Sequence, residues 1–289
     1  MRYVGNVFRP PSEAGSFLLQ VTLGCSHNRC TFCGCYPDKK FRVRKVEEVL
    51  EDIEMAKGHL GPEVRRVFLC DGNALILPTA HLVKILDALK GAFPQLQRVG
   101  VYANAQDILR KSEEELTELV SRKMTIFYLG LESGSDQVLE WVVKGSTADE
   151  MIEAVKKAMK AGMKSSVIYL IGLGGRKLWK EHALDSARAI SKMDPTYLSA
   201  LTITVLPGTP LADALDSGEF ELPSPEEFAL ELKVLLENVD VKATVFRSNH
   251  ASNYVPLEGR LPRDREKLIN TLDAAIRDNR FRPEYLRGL

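Results

Sequence analysis

Several things are scarce in this chain, and each scarcity excludes something. Net charge is absent: 39 basic and 39 acidic side chains cancel over 289 residues, so no overall field draws the chain to nucleic acid or to a membrane surface. Apolar runs stay well short of the ~20 residues that span a bilayer. The opening MRYVGNVFRP lacks the uninterrupted apolar core of a secretory signal. No membrane association is expected, and a cytoplasmic setting, which keeps cysteines reduced, is the expectation. Histidine is scarce, with five in all. The single Cys-x2-Cys pair has no second pair to close a tetrahedral zinc site. Low-complexity tracts and short fixed repeats are missing too. What remains, 45% hydrophobic and 27% charged residues, is enough for one large α/β domain with a short extension.

What is present concentrates in Ser16 to Tyr36, SFLLQVTLGCSHNRCTFCGCY. An apolar run, Phe17 to Leu23, ends at Gly24 and opens into a loop holding four of the five cysteines. Cys25, Cys30 and Cys33 are separated by four and two residues, and Cys35 follows after one more. Three thiolates on one loop can hold three irons of a 4Fe-4S cube, because cysteine sulfur is the ligand such clusters use. The fourth iron then stays open for a substrate or cofactor, and Phe32 would set a flat apolar ring beside it. A structural zinc site assisted by His27, or by the remote His59, His81, His182 or His250, is the competing reading. A disulfide framework does not suit a chain of this length without a secretory signal. Cys70, alone in an apolar run, reads as a buried filler.

The rest of the chain alternates strands and helices. Strands are expected at Phe17 to Leu23, Arg66 to Cys70, Arg98 to Tyr102, Ile126 to Leu131, Ser165 to Ile171 and Tyr197 to Val205. Helices are expected at Val46 to Lys57 and Thr79 to Lys90, after Asn104 through Leu119, from Thr147 to Ala161, and over Lys180 to Met193. Six strands alternating with helices imply a parallel sheet, since each crossover returns the chain to the same direction. Polar residues and glycines gather just after the strands, where such folds build sites. Gly172-Leu173-Gly174-Gly175 lacks the spacing of a dinucleotide fingerprint and reads as a turn. Beyond Pro223 come a helix at Pro225 to Asn238, a seventh strand at Val241 to Arg247 and a helix at Arg263 to Arg277. Arg247, His250, Asn253 and Tyr254 gather in one late polar loop and are the substrate-facing candidates. The charges of Lys39, Lys40, Arg42, Arg44 and Lys45 form a local basic patch.

With these pieces in hand the sequence resembles the radical SAM superfamily, in the branch of the coproporphyrinogen dehydrogenases, the Elongator catalytic subunits and the tRNA methylthiotransferases. Beyond the cysteines, the resemblance is carried by Leu129-Gly130-Leu131-Glu132-Ser133-Gly134-Ser135-Asp136, with Val138-Leu139 and Lys144-Gly145 following. Ile171-Gly172-Leu173-Gly174-Gly175 and Leu206-Pro207-Gly208-Thr209-Pro210-Leu211 complete it, over roughly residues 16 to 215. It implies an α/β fold, a partial TIM barrel of about six βα units at 1–222, with an extension at 223–289 packed on it. It implies a 4Fe-4S cluster on Cys25, Cys30 and Cys33, with Cys35 not a ligand, and S-adenosylmethionine as cofactor. Asp71 and Asn73 would take the cofactor's amino group, Glu132 and Asn104 its ribose or amine, and Lys144 its carboxylate; Phe32 and Thr204 would flank it. Two features depart from the family pattern: the first cysteine gap holds four residues instead of three, and Asp71-Gly72-Asn73 stands where relatives often carry Gly-Gly-Glu.

The function so implied is an enzyme that cleaves the cofactor reductively and takes hydrogen from an organic substrate. A reductant such as flavodoxin or ferredoxin and a small-molecule substrate would be its partners, and nucleic acid is not expected. The alternative is a noncatalytic carrier of clusters or haem on the same fold.

Overall fold

The computed structural model describes residues 2–288 and falls into two compact units. The first holds residues 2–28, 35–129 and 154–165; the second holds 29–34, 130–153 and 166–288.

In the first unit β1 (Phe17–Gln20) is followed by β2 (Thr22–Leu23), which pairs antiparallel with β3 (Arg42–Val43). The strand expected from Phe17 to Leu23 is therefore two. At Val21 the chain changes partners, its N–H going to Cys70 O (2.6 Å) while its carbonyl accepts from Arg44 N (3.1 Å). Helix α1 (Val46–Leu60) buries the predicted stripe of Val46, Val49, Ile53 and Ala56. It ends at Gly61, whose φ of 69° a side chain would strain. Strand β4 (Arg66–Cys70) lies parallel between β1 and β5 (Arg98–Tyr102), and β5 lies parallel to β6 (Met124–Glu132). Val67 through Cys70 are wholly buried, as a strand covered on both faces requires, so its sequence is a continuous apolar run. Helix α2 (Thr79–Ala92) buries Leu82, Ile85, Leu86 and Leu89.

The single helix expected after Asn104 is also two, α3 (Ala105–Leu109) and α4 (Glu113–Ser121). Ser112 and Glu115 exchange hydrogen bonds, Glu115 N to Ser112 Oγ at 3.1 Å and Ser112 N to Glu115 Oε2 at 2.8 Å. That capping box begins a helix, and so interrupts the longer one.

The second unit contains α5 (Asp136–Trp141), the start of α6 (Ala148–Lys160), nearly all of β7 (Lys164–Ile171), α7 (Gly175–Met193) and β8 (Tyr197–Thr202). After these come α8 (Pro210–Asp216), α9 (Pro225–Asn238), β9 (Thr244–Ser248), β10 (Leu257–Leu261) and α10 (Arg265–Arg277). Strands β7, β8 and β9 are parallel, and β10 returns antiparallel to β9. Helix α7 begins five residues before the expected Lys180, because the Gly172–Gly175 turn feeds straight into it: Gly175 N donates to Gly172 O (3.0 Å) and Leu178 N to Gly174 O (3.1 Å). Strand β8 stops at Thr202, short of the expected Val205. Its register on β7 runs out where Ile171 pairs with Thr202, so Thr204 lies beyond the strand. Strand β10, LEGRL, was not foreseen; only its two end leucines are buried, too little alternation to announce a strand. Helix α9 packs against α7 and α10 through Phe228, Leu232, Leu235 and Leu236, each such burial contributing roughly 1.5–3 kcal/mol.

Candidate functional site

Cys25 leaves the end of β2 between two pinned backbone amides. Gly24 N donates to Asp71 Oδ2 (3.1 Å) and Ser26 N donates to Asn73 Oδ1 (3.0 Å). Asp71 is fully buried, and its Oδ2 also accepts from Gln20 Nε2 (2.9 Å) and Lys39 Nζ (2.8 Å); an unscreened carboxylate needs such a cation. Its Oδ1 is buried without a hydrogen-bond partner. Asn73 Nδ2 donates to Ser26 Oγ and to both oxygens of Asp107 (2.8–3.1 Å). Burial pushes the Asp107 carboxyl up, against the hydrogen bonds from Asn104 N and Asn73. Gly72 sits so close to the cysteine that a Cβ there would stand 2.6 Å from Cys25 Cβ and 2.7 Å from its Cα. The whole Asp71-Gly72-Asn73 turn is thus a clamp on Cys25.

Cys30 and Cys33 form a turn of their own in the second unit, with Cys33 N donating to Cys30 O (3.1 Å). Thr31 ties that turn down twice: its N–H goes to Val142 O (3.0 Å), and its carbonyl accepts from Leu211 N (3.0 Å). Gly34 fits against Leu206 and Thr209 where a Cβ would collide with Leu206. The Leu206–Leu211 stretch, singled out by its sequence, is therefore the bed of the Cys30–Cys33 turn. Phe32, between the two cysteines, is half-buried and Cys33 is exposed.

Two residues after Val142, Lys144 Nζ meets Glu132 Oε1 at 3.1 Å, with both side chains 13% exposed. Glu132 ends β6 with a left-handed backbone, φ 59°, and Ser133 N donates to Leu131 O across it (2.7 Å). This is a γ-turn with a positive-φ centre, a strained form for a residue with a Cβ. Gly130 makes room for the pair, since a Cβ there would overlap the Glu132 carboxylate. Val143, next to Lys144, is also left-handed at φ 54°, which a β-branched residue adopts rarely. Strained residues of this kind cluster at ligand sites.

The other expected residues fall as follows. Asn104 begins α3 and its amide donates to Asp107 Oδ2 (2.9 Å). Thr204 is half-buried in the segment after β8. Arg247 is on β9 and exposed, not in the late loop. Asn253 is buried, its Oδ1 accepting from Thr202 N (2.6 Å) and Oγ1 (2.9 Å) and its Nδ2 donating to Ala200 O (2.9 Å). Tyr254 stacks on Phe228 and under Arg287; burial, then its bond to Glu284, pushes its phenol up to about 12. His250 bonds Ser252 Oγ (2.9 Å), and burial followed by the Arg282 charge holds its imidazole down. The basic patch is divided: Lys39 is spent on Asp71 and Arg44 on Asp52 (2.7 Å), while Lys40, Arg42 and Lys45 are exposed. The clearance at Gly72 was missed. A glycine between Asp and Asn was its only sequence signal.

The Radical SAM superfamily sequence profile matches residues 19–187. The chain belongs to the radical SAM superfamily. This is an enzyme family whose cofactors are a 4Fe-4S cluster and S-adenosylmethionine. Among its relatives, tRNA-2-methylthio-N(6)-dimethylallyladenosine synthase of Shewanella sp. (strain W3-18-1) is 26% identical over 230 residues, covering 73% of this chain and 45% of that one. An uncharacterized protein of Methanocaldococcus jannaschii is 23% identical over 274 residues, covering 91% and 78%. Among solved structures, coproporphyrinogen III oxidase of Escherichia coli superposes with a TM-score of 0.56 at 17% identity, over 77% of this chain and 50% of that one. That likeness shows the fold, a partial barrel of parallel strands in the α/β class. The chain spans about half the length of the tRNA-modifying relative.

Cysteine thiols are the donor chemistry that a 4Fe-4S cluster uses. None of the five cysteines is in a disulfide, and Cys25, Cys30 and Cys33 all retain solvent access, whereas Cys70 is buried. Burial pushes the Cys70 thiol up, away from the thiolate a metal takes. Among the described residues no group of three or more His, Cys, Asp or Glu is gathered so as to hold a metal ion. Among the same residues no helix is long and apolar enough to cross a membrane.

Proposed function

We propose that this radical SAM protein is an enzyme that cleaves S-adenosylmethionine reductively and removes hydrogen from a small organic substrate. The observation that carries the reading is the anchoring of the cysteine loop. Cys25 is clamped through Gly24, Ser26 and Gly72, and the Cys30–Cys33 turn is held through Thr31. Cysteines that had no ligand to hold would not need their backbone fixed on both sides; preorganised ligands do. A reduced cluster held by these cysteines would supply one electron, and S-adenosylmethionine the sulfonium that accepts it, the source of methionine and of a carbon-centred radical.

The chain's own residues position and enclose. Cys25, Cys30 and Cys33 are assigned as ligands, with Cys35 outside the set and Phe32 as the apolar cover. Glu132 is assigned to accept hydrogen bonds from the cofactor's ribose or amine, and Lys144 to orient that carboxylate through its 3.1 Å contact. Asp71 and Asn73 were expected to receive the methionine amino group. All but one of their side-chain oxygens and nitrogens are already bonded, so they are assigned to holding Cys25. Asn104 and Thr204 remain assigned as flanking polar groups, and Arg247, His250 and Tyr254 as the substrate-side surface. Asn253, with its amide fully engaged, is assigned to fixing the end of β8. The division at 222/223 is kept, with 223–289 as an extension of the core. Flavodoxin or ferredoxin is the proposed reductant.

The zero net charge supports a small substrate over a polyanion. The deciding experiment is anaerobic reconstitution with iron and sulfide, reduction with dithionite, and chromatographic assay of 5′-deoxyadenosine. Turnover supports the enzyme, and cofactor or porphyrin binding without cleavage supports the carrier. Stimulation of cleavage by bulk tRNA, and not by small-molecule extracts, overturns the small-substrate part.

A further inference from the structure

We propose that a buried polar relay, in which Glu231 contacts His182 at 3.4 Å and His182 is hydrogen-bonded to Ser133, positions Glu132 for the cofactor. The proposal rests on the reading that Glu132 contacts S-adenosylmethionine. The four residues come from three places in the second unit: Glu231 from α9, His182 from α7, and Glu132 and Ser133 from the last residue of β6 and the one after it.

The strained turn at Glu132 has to be held from outside, because a left-handed γ-turn relaxes when nothing over-determines it. The holder is Ser133. Its hydroxyl accepts from Ser135 N (3.0 Å) and shares a 2.8 Å bond with His182 Nδ1. Because Nε2 faces two acceptors, Leu170 O and Glu231 Oε1, it carries the ring proton, and Nδ1 accepts from the Ser133 hydroxyl. Nε2 lies 3.2 Å from Leu170 O and 3.4 Å from Glu231 Oε1, both acceptors, so one tautomer satisfies every contact. The ring is stacked on Tyr169 at 4.8 Å. Glu231 Oε1 in turn accepts from Tyr169 Oη (2.6 Å) and Gly172 N (2.8 Å). Ser133, His182 and Glu231 are each 0% exposed. Three polar groups buried in one line are costly unless they fix a geometry, and among the described residues the left-handed non-glycine position they adjoin is Glu132. Gly134, the next residue, is pressed onto the α7 backbone, and its amide donates to Ser186 Oγ (2.8 Å), so the turn cannot swing away from His182.

The extension 223–289 thereby acts on the cofactor through Glu231, and Glu231, His182 and Ser133 are positioning residues, not catalytic ones. The test is equilibrium dialysis of labelled S-adenosylmethionine against the reconstituted protein, with iron content measured for each variant. Glu132→Gln is expected to weaken binding about tenfold, as loss of a charge-assisted hydrogen bond does. His182→Phe keeps the stacking but loses Nδ1, and is expected to weaken it about fivefold. His182→Asn returns an acceptor near Nδ1 and is expected to restore affinity to within about twofold. The double variant Glu132→Gln, His182→Phe should bind no more weakly than Glu132→Gln alone, since both act through one contact. Should His182→Phe lose iron or fail to fold, Ser133→Ala replaces it with the same expected loss. Unchanged affinity in His182→Phe and Ser133→Ala beside a weakened Glu132→Gln overturns the relay alone, and so do losses that multiply in the double variant. Unchanged affinity in Glu132→Gln overturns the reading of Glu132 and the relay with it.

Discussion

Replacing Gly72 by alanine should cost this protein its cluster while leaving most of its fold in place. The added Cβ would stand 2.6 Å from Cys25 Cβ, 2.7 Å from Cys25 Cα and 3.0 Å from Gly24 O, where ordinary contact begins near 3.4 Å. These are main-chain atoms and a Cβ, not the flexible end of a side chain, so the clash cannot be relieved by a rotamer. Either the turn or the cysteine must retreat by about 0.8 Å. The turn is the stiffer of the two, because Asp71 and Asn73 are bonded at Gln20, Lys39 and Asp107. Cys25 therefore moves, and overpacking of this size costs about 1–3 kcal/mol. That strain comes out of thiolate–iron bonding, whose geometry tolerates displacements of only about 0.5 Å. The assay is anaerobic reconstitution followed by chelator challenge, reading the visible absorption against time, with far-ultraviolet dichroism as the control for folding. Cluster loss at least about tenfold faster than in the parent is expected, a factor that 1.4 kcal/mol supplies. A Gly72→Ala protein that keeps its iron as long as the parent would refute the clamp.

Alanine at Cys25, Cys30 or Cys33 should each abolish the visible absorption of the reconstituted protein, while Cys35→Ala keeps it; bleaching by Cys35→Ala alone would reassign the third ligand. Asp52→Ala should lower stability by about 3 kcal/mol in urea denaturation, since it removes the nearer of the two carboxylates beside the buried Arg44 guanidinium, at 2.7 Å, and leaves Glu48 at 3.6 Å; a loss below about 1 kcal/mol would show that Glu48 and the Gln20 carbonyl suffice. His250 is held below 6.5 in the fold by burial and by Arg282. Its contribution to stability is thus present above pH 6.5 and is lost as pH falls from 6.5 through the lower folded value. The urea midpoint should drop between pH 8 and pH 5.5 more in the parent than in His250→Asn, and equal drops would remove the histidine from the account.

The strands and helices of the first unit were legible because their periodicity is strong. Arg66 to Cys70 and Arg98 to Tyr102 were placed to the residue, and the Val46, Val49, Ile53 stripe marked α1. Errors came where a local signal competes with a longer pattern. Ser112 and Glu115 form a capping box that begins a new helix, but the apolar run on both sides suggests a single helix through Leu119 and hides the break after Leu109. Thr204 looked like strand because β-branched residues continue to Val205, but a strand is as long as its partner, and β7 stops at Ile171. His182 and Glu231 were invisible as a pair for a different reason. They are 49 residues apart, and each sits on a helix face among apolar neighbours where one buried polar residue has no partner that sequence alone can name. Glycines at 72, 130 and 134 carry their meaning in what lies opposite them, which is a property of tertiary structure.

The departure from the family's cysteine spacing follows from the same logic. The gap between Cys25 and Cys30 holds Ser26, His27, Asn28 and Arg29, one more residue than usual, and an added residue must go somewhere without dragging the first cysteine. Ser26 cannot yield, since its amide and hydroxyl are both on Asn73. The chain instead reverses at Asn28, which has φ 43° and donates its side-chain amide to Tyr36 O at 3.0 Å. Asparagine is among the few residues that take the left-handed region at little cost. The longer gap is thus absorbed at one residue by a local bend. The Cys25 clamp keeps its own contacts, so the position of Cys25 is set by Asp71, Gly72 and Asn73 and not by the length of the loop that follows it.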